Sequence, residues 1–509
     1  MLLASALLSA TLVASVCARW IDQKSSASQG RIRTVVTTDM EQDDLASLVR
    51  YLLYTSDVDT QGIVYSASRY HWEGDYKGTR FFLPGREYNS SQTSFRWTGN
   101  TTIQDVVIPD YAQVYENLCV HDANFPAPAD LLSLVKIGNV DFEGEFSNDT
   151  DGSRLIEALI LDNDPRTLYL QAWGGTNTIA RALRSIEEQN SSSSEWPTLK
   201  HRISEKVVIM ASGFQDETYD NYIAPNWPRL QVRASGVAWT AYNCNKNGTG
   251  NVRGLPDDHV YFTGTWVRKH IQTGPYGKLY RSWLDNQHMA GDQLDVFGNT
   301  SAFPITASDW CQPLGPYDFL GEGDDGTYLP LLTTGMQDPS NPNLGGWGGR
   351  SKRNTTTTAN LWQSVTAEMA PNGTEVDNYG TNRFISAAQN DMAARIQWTL
   401  TPQYSKGNHP PLVRISGGNT LEARAGQTVK LAGIVSDPDG DKVSTSWWQY
   451  VEEGTYNGVV NITKIRNNNA IVVIPADAKD GQTISIILQG TDDGEFPLTR
   501  YDRIMIRVC

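Results

Sequence analysis

The spacing of apolar and polar positions predicts that most of this chain alternates strands with helices. Residues 32–36 form an apolar run, and residues 45–53 place leucine or valine at helical spacing, which predicts a strand followed by an amphipathic helix. A β-branched run at 61–66 and apolar runs at 167–173 and 206–211 predict further strands, and the last two lead into glycine. This alternation predicts an α/β domain with a mostly parallel sheet and flanking helices.

The pattern changes near the C-terminus. From residue 412 onward, short alternating runs are separated by acidic turns at 437–441 and 492–494. This pattern is typical of an immunoglobulin-like β-sandwich. The sequence Asn-His-Pro-Pro at 408–411 marks the boundary, because paired prolines end a helix and stiffen a linker.

The first residues predict a secretory signal peptide. Residues 2–16 are apolar or small, and small residues before Arg19 form a cleavage pattern. No later stretch is long and apolar enough to span a bilayer, so we expect a secreted, extracellular protein with no membrane partner. The expected division of the chain is a signal peptide at 1–18, a flexible leader at 19–30, the α/β domain at 31–408 and the β-sandwich at 409–509.

Cysteine and sequon counts agree with secretion. Without the signal peptide four cysteines remain, which allows two disulfides in one of three pairings or, alternatively, buried thiols. Asn-x-Ser/Thr sequons occur at nine asparagines and predict a glycoprotein. The cysteines are Cys119, Cys244, Cys311 and Cys509. The sequon asparagines are Asn89, Asn100, Asn148, Asn190, Asn247, Asn299, Asn354, Asn372 and Asn461.

The overall charge excludes one class of partner. The formal net charge is −15 at pH 7. An acidic chain repels nucleic-acid phosphates and anionic membranes, so neither is an expected partner. The oligomeric state stays open at this point.

Four carboxylates occur within six residues, where the first predicted strand turns into the first helix: Asp39, Glu41, Asp43 and Asp44. In open α/β sheets, ligands bind at this end of the strands. Clustered carboxylates repel one another unless a hard cation with oxygen ligands, such as Ca²⁺, neutralises them. Helix capping and the helix dipole explain one or two acids, but not four with Asp39 on the strand side.

The stretch from Thr37 to Asp44 resembles the first strand end of the nucleoside hydrolase superfamily, Asp-x-Asp-x-x-x-Asp-Asp, with Thr37 in place of the first acid. The resemblance implies a calcium ion bound by Asp39, Asp43 and Asp44. It also implies that Asp43 acts as general base on a calcium-bound water. Glu41 has no role in this motif, and we expect it to face away from the ion.

Two later segments resemble the same family. The turn at 175–180 is similar to one in which a backbone carbonyl completes the calcium shell, which implies Asn177 as the donor. The Gly-Glu-Gly-Asp segment at 321–324 falls where a late family aspartate completes the site, which implies Asp324 as a ligand.

The residues that contact substrate in the family are matched less completely in this chain than the residues that bind calcium. Asn226 lies where the family contacts sugar hydroxyls, which implies a substrate-binding role. Ser68 stands near a family asparagine, and Gly323 stands near a histidine that assists purine leaving groups in some members. Both departures argue against an ordinary nucleoside as substrate.

The whole chain resembles a secreted subgroup described as cellulose-binding proteins, which join a nucleoside-hydrolase-like α/β domain to a C-terminal β-sandwich. The resemblance covers nearly all of the mature chain. Its motifs are Glu-Gln-Asp-Asp at 41–44, Gly-Glu-Gly-Asp at 321–324, Gly-Gly-Trp-Gly-Gly at 345–349 and Asn-His-Pro-Pro at 408–411.

The chemistry of glycosyl hydrolysis suggests further site residues. Calcium can hold a water beside vicinal sugar hydroxyls and lower the pKa of that water, and Asp43 would take its proton. A leaving group usually needs an acid, for which Glu322 is the candidate. The equally weighted alternative is that Glu322 is an exposed loop acid.

Tryptophans beside these motifs are candidate sugar-stacking residues. They are Trp173, Trp227 and Trp347, and with Ser68 and Asn226 they form the predicted substrate-binding set. Core packing is the alternative, and it is favoured for Trp173 at its strand end. Trp347 lies among four glycines, which favours a binding loop.

A second acidic motif, Asp-Pro-Asp-Gly-Asp, occurs at 437–441 in the predicted sandwich. Acids at alternate positions point the same way and suit a second calcium ion. A β-turn rich in Asp and Gly needs no metal, and this simpler explanation is favoured on turn chemistry alone.

These features together predict a secreted, calcium-dependent hydrolase of N- or O-glycosidic bonds, acting on a sugar conjugate or polysaccharide fragment. One alternative is a carbohydrate-binding protein, for example for cellulose, that has kept the pocket without catalysis. Another is an extracellular nucleoside hydrolase. Hydrolysis that depends on Asp43 would separate the first alternative from the prediction, and release of a free base from a nucleoside would favour the second.

Overall fold

The computed structural model describes residues 30–235, 258–292, 295, 315–319, 321–336, 338–371 and 373–509. The predicted signal peptide, Cys244, Cys311 and the sequons at Asn247, Asn299 and Asn372 lie outside these residues. Cys119 lies on a helix and Cys509 ends the chain, and the two are not bonded to each other. The proposed disulfides therefore stay predictions.

The first part of the chain forms an α/β domain around a parallel sheet, as predicted. The sheet order is β3-β2-β1-β4-β5-β6-β8-β7, and every pair is parallel except β7 with β8. The strands are β1 (Ile32–Thr38), β2 (Val58–Tyr65), β3 (Val135–Ile137), β4 (Leu168–Ala172), β5 (Val207–Ser212), β6 (Gln231–Ser235), β7 (Ser351–Arg353) and β8 (Leu361–Ser364).

Helices connect the strands and cover both faces of the sheet. Among the described residues, no helix is both long and apolar enough to cross a membrane. The helices are α1 (Gln42–Leu52), α2 (Ile108–His121), α3 (Pro128–Leu134), α4 (Asp151–Leu161), α5 (Asn177–Asn190), α6 (Trp196–Lys206), α7 (Ala224–Asn226), α8 (Gly264–His270), α9 (Gly274–Gly277), α10 (Asp325–Tyr328), α11 (Tyr379–Asn382) and α12 (Ile385–Leu400). Single 3-10 or π turns occur at Ile103–Val107, Tyr219–Ile223, Asp258–Phe262, Leu329–Leu331, Tyr404–Lys406 and Val451–Glu453.

The strand order determines where a ligand can bind. The chain moves outward from β1 to β2 and β3, and then returns to place β4 on the other side of β1. In doubly wound sheets, ligands bind outside the carboxyl ends of the strands at such a reversal. The acid cluster follows β1 and the turn at 173–176 follows β4. The topology therefore brings these two segments to one crevice.

The C-terminal part is a sandwich of mostly antiparallel sheets with its own apolar core, as predicted. The sheets are ordered β12-β19-β18-β15, β13-β17-β16 and β11-β14, and a separate hairpin, β9-β10, precedes them. The strands are β9 (Ala367–Met369), β10 (Glu375–Asp377), β11 (Leu412–Ile415), β12 (Thr420–Ala423), β13 (Thr428–Leu431), β14 (Gly433–Ser436), β15 (Ser444–Gln449), β16 (Asn461–Lys464), β17 (Ala470–Val473), β18 (Thr483–Thr491) and β19 (Thr499–Val508).

The sandwich packs firmly against the α/β domain. Trp347 shares one apolar core with Tyr450 and Tyr501 of the sandwich. An Arg503 guanidinium N–H donates to the carbonyl oxygen of Gly345 at 2.9 Å. The glycine-rich loop at 345–349 is therefore a contact between the domains, and its glycines allow the close approach.

Candidate metal centre

The chain turns sharply between β1 and α1. Met40 has a φ of 55°, a left-handed conformation that non-glycine residues seldom adopt and that often marks functional sites. Glu41 is the N-cap of α1, yet its side chain makes no capping hydrogen bond. Asp44 lies in the first helical turn, and its Oδ1 accepts a hydrogen bond from the Thr38 hydroxyl. Helix capping therefore does not account for Glu41.

The acids at this turn form one cluster. Carboxylate oxygens of Glu41, Asp43 and Asp44 lie within 4.8 Å of one another. Ligand atoms of Asp39, Glu41 and His71 also lie within 4.8 Å of one another. The arrangement brings side chains from the ends of β1 and β2 together with the first turn of α1.

Asp324 joins the cluster from a loop almost three hundred residues away in the sequence. Its charge is the strongest electrostatic influence on Asp44, and the charges of Asp43 and Asp39 act in turn on Asp324. The backbone N–H of Asp324 donates to Ser47 Oγ at 3.2 Å, which ties the loop to α1. The structure therefore brings Asp324 to the predicted ligands Asp39, Asp43 and Asp44.

Several oxygens in the cluster accept no hydrogen bond from any described residue. They are both carboxylate oxygens of Asp39 and one oxygen each of Asp44 and Asp324, and all are inaccessible to solvent. The side chains of Asp39, Asp44 and Asp324 are 0 %, 1 % and 2 % exposed. A buried, unpaired carboxylate is strongly unfavourable unless a cation or a proton neutralises it. The donor set, all carboxylate oxygen, suits a hard cation such as Ca²⁺.

The electrostatics of the cluster favour the binding of a cation. Burial, followed by the negative charge of Asp39, raises the pKa of Asp43 to about 6. Burial and the neighbouring acids also raise the pKa values of Glu41, Asp44 and Asp324 well above their ordinary range. A bound cation would lower these pKa values again, because it favours the charged form of each carboxylate.

Gly323 allows the approach of Asp324 to Asp43. A Cβ atom on Gly323 would overlap the Asp43 carboxylate, so no other residue fits without movement. The carbonyl oxygen of Gly323 accepts a hydrogen bond from Ser212 Oγ at 2.7 Å, at the end of β5. The histidine that Gly323 replaces in the resemblance has no room in this arrangement.

The comparisons with known proteins agree with this geometry. Residues 33–351, more than half of the 509 residues, match the family model described as "Cellulose-binding Sde182, nucleoside hydrolase-like domain". The chain belongs to this family. Residues 428–508 match the model described as "Cellulose-binding protein Sde0182, C-terminal domain". The resemblance inferred from the sequence is thus confirmed for both parts of the chain.

A solved structure resembles this member of the Sde182 family along most of its length. It is a nucleoside hydrolase-related hypothetical protein from Saccharophagus degradans, described as associated with carbohydrate metabolism. It is 26 % identical, with a TM-score of 0.68, and the match covers 94 % of this chain and all of the other. A plant nucleoside hydrolase matches 72 % of this chain and 99 % of its own at 12 % identity, but its TM-score of 0.32 carries no argument. No curated protein matches the chain.

Two members of the cluster, Glu41 and His71, were not identified from the sequence. Glu41 was expected to face away from the ion, but its carboxylate lies among the other acids. His71 Nδ1 lies 3.2 Å from Glu41 Oε2, and Nε2 lies 3.5 Å from Asp292 Oδ2. The available signal was the position of His71 after β2, at the same sheet edge as the acids. The ends of neighbouring parallel strands meet at that edge.

Ser68 supports the site indirectly instead of contacting a substrate. Its hydroxyl accepts hydrogen bonds from the backbone N–H groups of Tyr70 and His71, at 3.0 and 3.2 Å. The side chain is fully buried. Ser68 therefore fixes the turn that presents His71, and the predicted substrate contact is wrong for this geometry.

Asn177 was predicted to offer its backbone carbonyl to the ion, and that role stays a prediction. Asn177 is the first residue of α5, and its side-chain amide donates to the carbonyl oxygens of Asn139 and Glu145, at 2.8 and 3.0 Å. The turn after β4 reaches the acids three residues earlier, at Gly174, where an added Cβ would lie 2.9 Å from Asp39 Cγ. Gly174 is therefore one point at which this turn approaches the cluster closely.

Glu322 is not the free acid that the sequence suggested. It is fully buried, and its Oε2 lies 2.5 Å from Arg50 Nε. The hydroxyls of Tyr280 and Tyr328 donate to its two oxygens at 2.6 and 3.2 Å. Both oxygens are engaged, so Glu322 anchors the loop before α10 and is not placed to protonate a leaving group.

The predicted sugar-stacking residues lie inside the protein. Trp173, Trp227 and Trp347 are at most 1 % exposed, so none presents a ring face to solvent. Trp173 donates its indole N–H towards Gln171 and Thr327 in the core, at 3.1 and 2.8 Å. Core packing is therefore the correct explanation for all three.

Asn226 is the last residue of α7, next to Trp227. Its side-chain amide donates to the carbonyl oxygen of Tyr222 at 2.9 Å, within one turn. Trp227 packs in the core on the opposite face of the sheet from Met40. The predicted sugar contact from Asn226 is therefore not supported by this geometry.

Proposed function

We propose that this protein is a secreted hydrolase of glycosidic bonds in a sugar conjugate or polysaccharide fragment. The observation that carries the proposal is the set of buried carboxylate oxygens without hydrogen-bond partners at the switch point of the sheet. Asp39, Asp44 and Asp324 would hold a calcium ion there, and Asp43 would complete the set. When bound, calcium would align sugar hydroxyls and acidify a water.

The exposure of each carboxylate indicates which role it would have in the reaction. Asp39, Asp44 and Asp324 are almost completely buried, whereas Asp43 is 9 % exposed at the edge of the cluster. Among the four proposed calcium ligands, Asp43 is therefore the carboxylate best placed to accept a proton from a water that enters from solvent. Glu41 shares this edge, with its carboxylate 18 % exposed and beside His71.

The secreted location is part of the proposal, and the described sequons support it. Each of the six described sequon asparagines is at least partly accessible. Asn89, Asn148 and Asn461 are exposed. A glycan would therefore meet no buried surface at these positions.

The test compares turnover by variants of the full chain. Because Glu322 is occupied by Arg50, we expect substrates with good leaving groups, such as nitrophenyl glycosides, to react faster than cello-oligosaccharides. Asp43→Asn should lower turnover by about 10²–10⁴-fold, the usual contribution of a general base. Asp151→Asn is the matched control, since Asp151 has 78 % of its side chain exposed on α4. Equal turnover by Asp43→Asn and the control would exclude Asp43 as the base.

A binding function without turnover is the second candidate. It is favoured by the engagement of Glu322, which leaves the site without its predicted leaving-group acid. It predicts affinity for cello-oligosaccharides in calorimetry, no product from any glycoside, and no dependence on Asp43→Asn. Free base released from inosine or uridine would instead support a nucleoside hydrolase.

A further inference from the structure

A second acidic cluster lies far from the first, at the junction of the linker with the sandwich. Asp437, Asp439 and Asp441 occupy the turn between β14 and β15, and their carboxylate oxygens lie within 4.8 Å of one another. The metal centre after β1 uses none of these residues.

Turn chemistry explains part of this arrangement and leaves part unexplained. Asp437 Oδ1 accepts hydrogen bonds from the backbone N–H groups of Asp439 and Asp441, at 2.9 and 3.0 Å. These bonds are sufficient to form the turn. Asp437 Oδ2 is nevertheless buried and accepts no hydrogen bond from the described residues.

Two other segments supply buried oxygens that also accept no hydrogen bond from the described residues. Asp492 follows β18, Asn408 lies in the linker, and their side chains are 4 % and 6 % exposed. Asn408 Nδ2 donates to Asp492 Oδ1 at 3.0 Å, which fixes the two side chains together. Asp492 Oδ2 and Asn408 Oδ1 remain buried without a hydrogen-bond partner among the described residues.

A cleft lies between the linker, the acidic turn and the turn that follows β18. Its volume is 520 Å³, and its lining includes Asn408, Asp439, Asp441, Gly494 and Tyr404. Asp437 acts electrostatically on Asp492, so the turn and the end of β18 are neighbours. Three separate segments therefore lie around one cleft, and each carries a buried oxygen without a hydrogen-bond partner among the described residues.

The negative charge at this place has little compensation in the described part of the chain. Asp439 pairs with His409, whose Nδ1 lies 3.0 Å from Asp439 Oδ1. No described lysine or arginine lies within 4.0 Å of the carboxylates of Asp437, Asp441 or Asp492. Buried carboxylate oxygens such as those of Asp437 and Asp492 are unfavourable without a counter-charge, which favours a cation at this place.

We propose that Asp437, Asp439, Asp441, Asp492 and Asn408 hold a structural divalent cation, calcium. The donors are all oxygen, they come from flexible turns, and water from the cleft can complete a shell of six to eight. Zinc is disfavoured because it prefers cysteine and histidine ligands in a tetrahedral arrangement.

The proposed site lies where the linker meets the sandwich, so a cation there would affect how the two domains are held together. Asn408 belongs to the linker between α12 and β11, whereas the acids belong to two turns of the sandwich. His409, the next linker residue, stacks on Tyr404 with ring centroids 3.7 Å apart. A cation here would fasten the linker to the sandwich and hold the two domains in one orientation.

The test uses terbium, a luminescent calcium substitute, added to the full chain after chelator treatment. Tyr404 lines the cleft and would sensitise terbium luminescence when excited near 280 nm. To silence the first centre, the measurement is made in an Asp39→Asn/Asp44→Asn background. We expect calcium-reversible luminescence in this background and at least a tenfold loss when Asp437→Asn and Asp492→Asn are added.

Asparagine keeps the Oδ1 acceptor of Asp437, so the turn should survive these substitutions. Thermal unfolding of the same proteins checks this point. Calcium should raise the midpoint by about 3 °C or more in the background protein, and should leave the added Asp437→Asn/Asp492→Asn variant unchanged. Asp480→Asn, an exposed acid of the same sandwich, is the control and should behave as the background.

Two results would overturn the proposal. One is the absence of both luminescence and a calcium-dependent midpoint in the background protein. The other is an equal response with and without Asp437 and Asp492. Neither result bears on the centre after β1, because that centre is disabled in every protein compared here.

Discussion

Glu322 and Asp324 are two residues apart in one loop, and both are buried, yet their surroundings differ completely. Glu322 meets Arg50, Tyr280 and Tyr328, so its charge is balanced and both oxygens are bonded. Asp324 meets other acids and keeps one buried oxygen without a hydrogen-bond partner among the described residues. The comparison shows that burial of an acid does not by itself mark a functional residue. A buried charge without a balancing partner makes an acid a candidate ligand.

The largest expected effect is a difference in stability between variants of these two acids. Glu322→Gln removes the carboxylate that pairs with the buried Arg50 guanidinium, and should lower the free energy of unfolding by about 3–5 kcal/mol. Asp324→Asn removes a repelled charge from the metal-free protein, and should leave that free energy unchanged or higher. Equilibrium urea unfolding in the presence of a chelator measures both. A similar loss in both variants would contradict the comparison.

The second effect is a pH dependence of the metal-free protein. The pKa of Asp43 is about 6 in the folded state and 3.8 in its ordinary state, so the folded chain keeps a proton that the unfolded chain has released. The free energy of unfolding should therefore fall as the pH rises from about 4 to about 6, and the contribution of Asp43 to this fall is roughly 3 kcal/mol. Asp43→Asn should remove that part of the slope. Urea unfolding across this range that is unaffected by Asp43→Asn would contradict the assignment.

The third effect is stabilisation by calcium at the first centre alone, measured in an Asp437→Asn/Asp492→Asn background. Free calcium at a hundred times its dissociation constant should raise the free energy of unfolding by about 2.7 kcal/mol. Asp39→Asn should abolish the increase, because neither carboxylate oxygen of Asp39 has a hydrogen-bond partner among the described residues. An increase that survives Asp39→Asn would place the cation elsewhere.

The smallest effect concerns the glycine between the two acids. Gly323→Ala places a methyl group against the Asp43 carboxylate, and should cost about 1–3 kcal/mol of stability. It should also weaken calcium binding, because Asp43 must move. Gly30→Ala is the control, since nothing lies within 4 Å of a Cβ there. Unchanged calcium affinity in calorimetry would show that Asp43 is not a ligand.

The sequence predicted the parts of the molecule that depend on local pattern. The spacing of apolar residues changes from strand-like to helical between residues 36 and 45, which placed the acids at the end of β1. The same kind of periodicity predicted the α/β domain and the sandwich. Asp324 came only from the family resemblance, because no local pattern links it to Asp39. The alternation of acids at 437–441 was also visible in the sequence.

The missed features depend on which residues meet after folding. Glu322 was misassigned because its partner, Arg50, is 272 residues away. Trp347 was misassigned because its neighbouring glycines suggested a surface loop, whereas they allow close packing of the sandwich against the loop. His71 lies in an irregular region whose path no periodic pattern describes.

The most direct test of the first metal centre is anomalous X-ray diffraction from a crystal of the full chain grown with calcium. We predict a peak with oxygens of Asp39, Asp44 and Asp324 within about 2.3–2.6 Å of the ion, the range for protein calcium sites. The absence of an anomalous peak beside these three carboxylates at saturating calcium, with only water or protons satisfying their oxygens, would contradict the central claim.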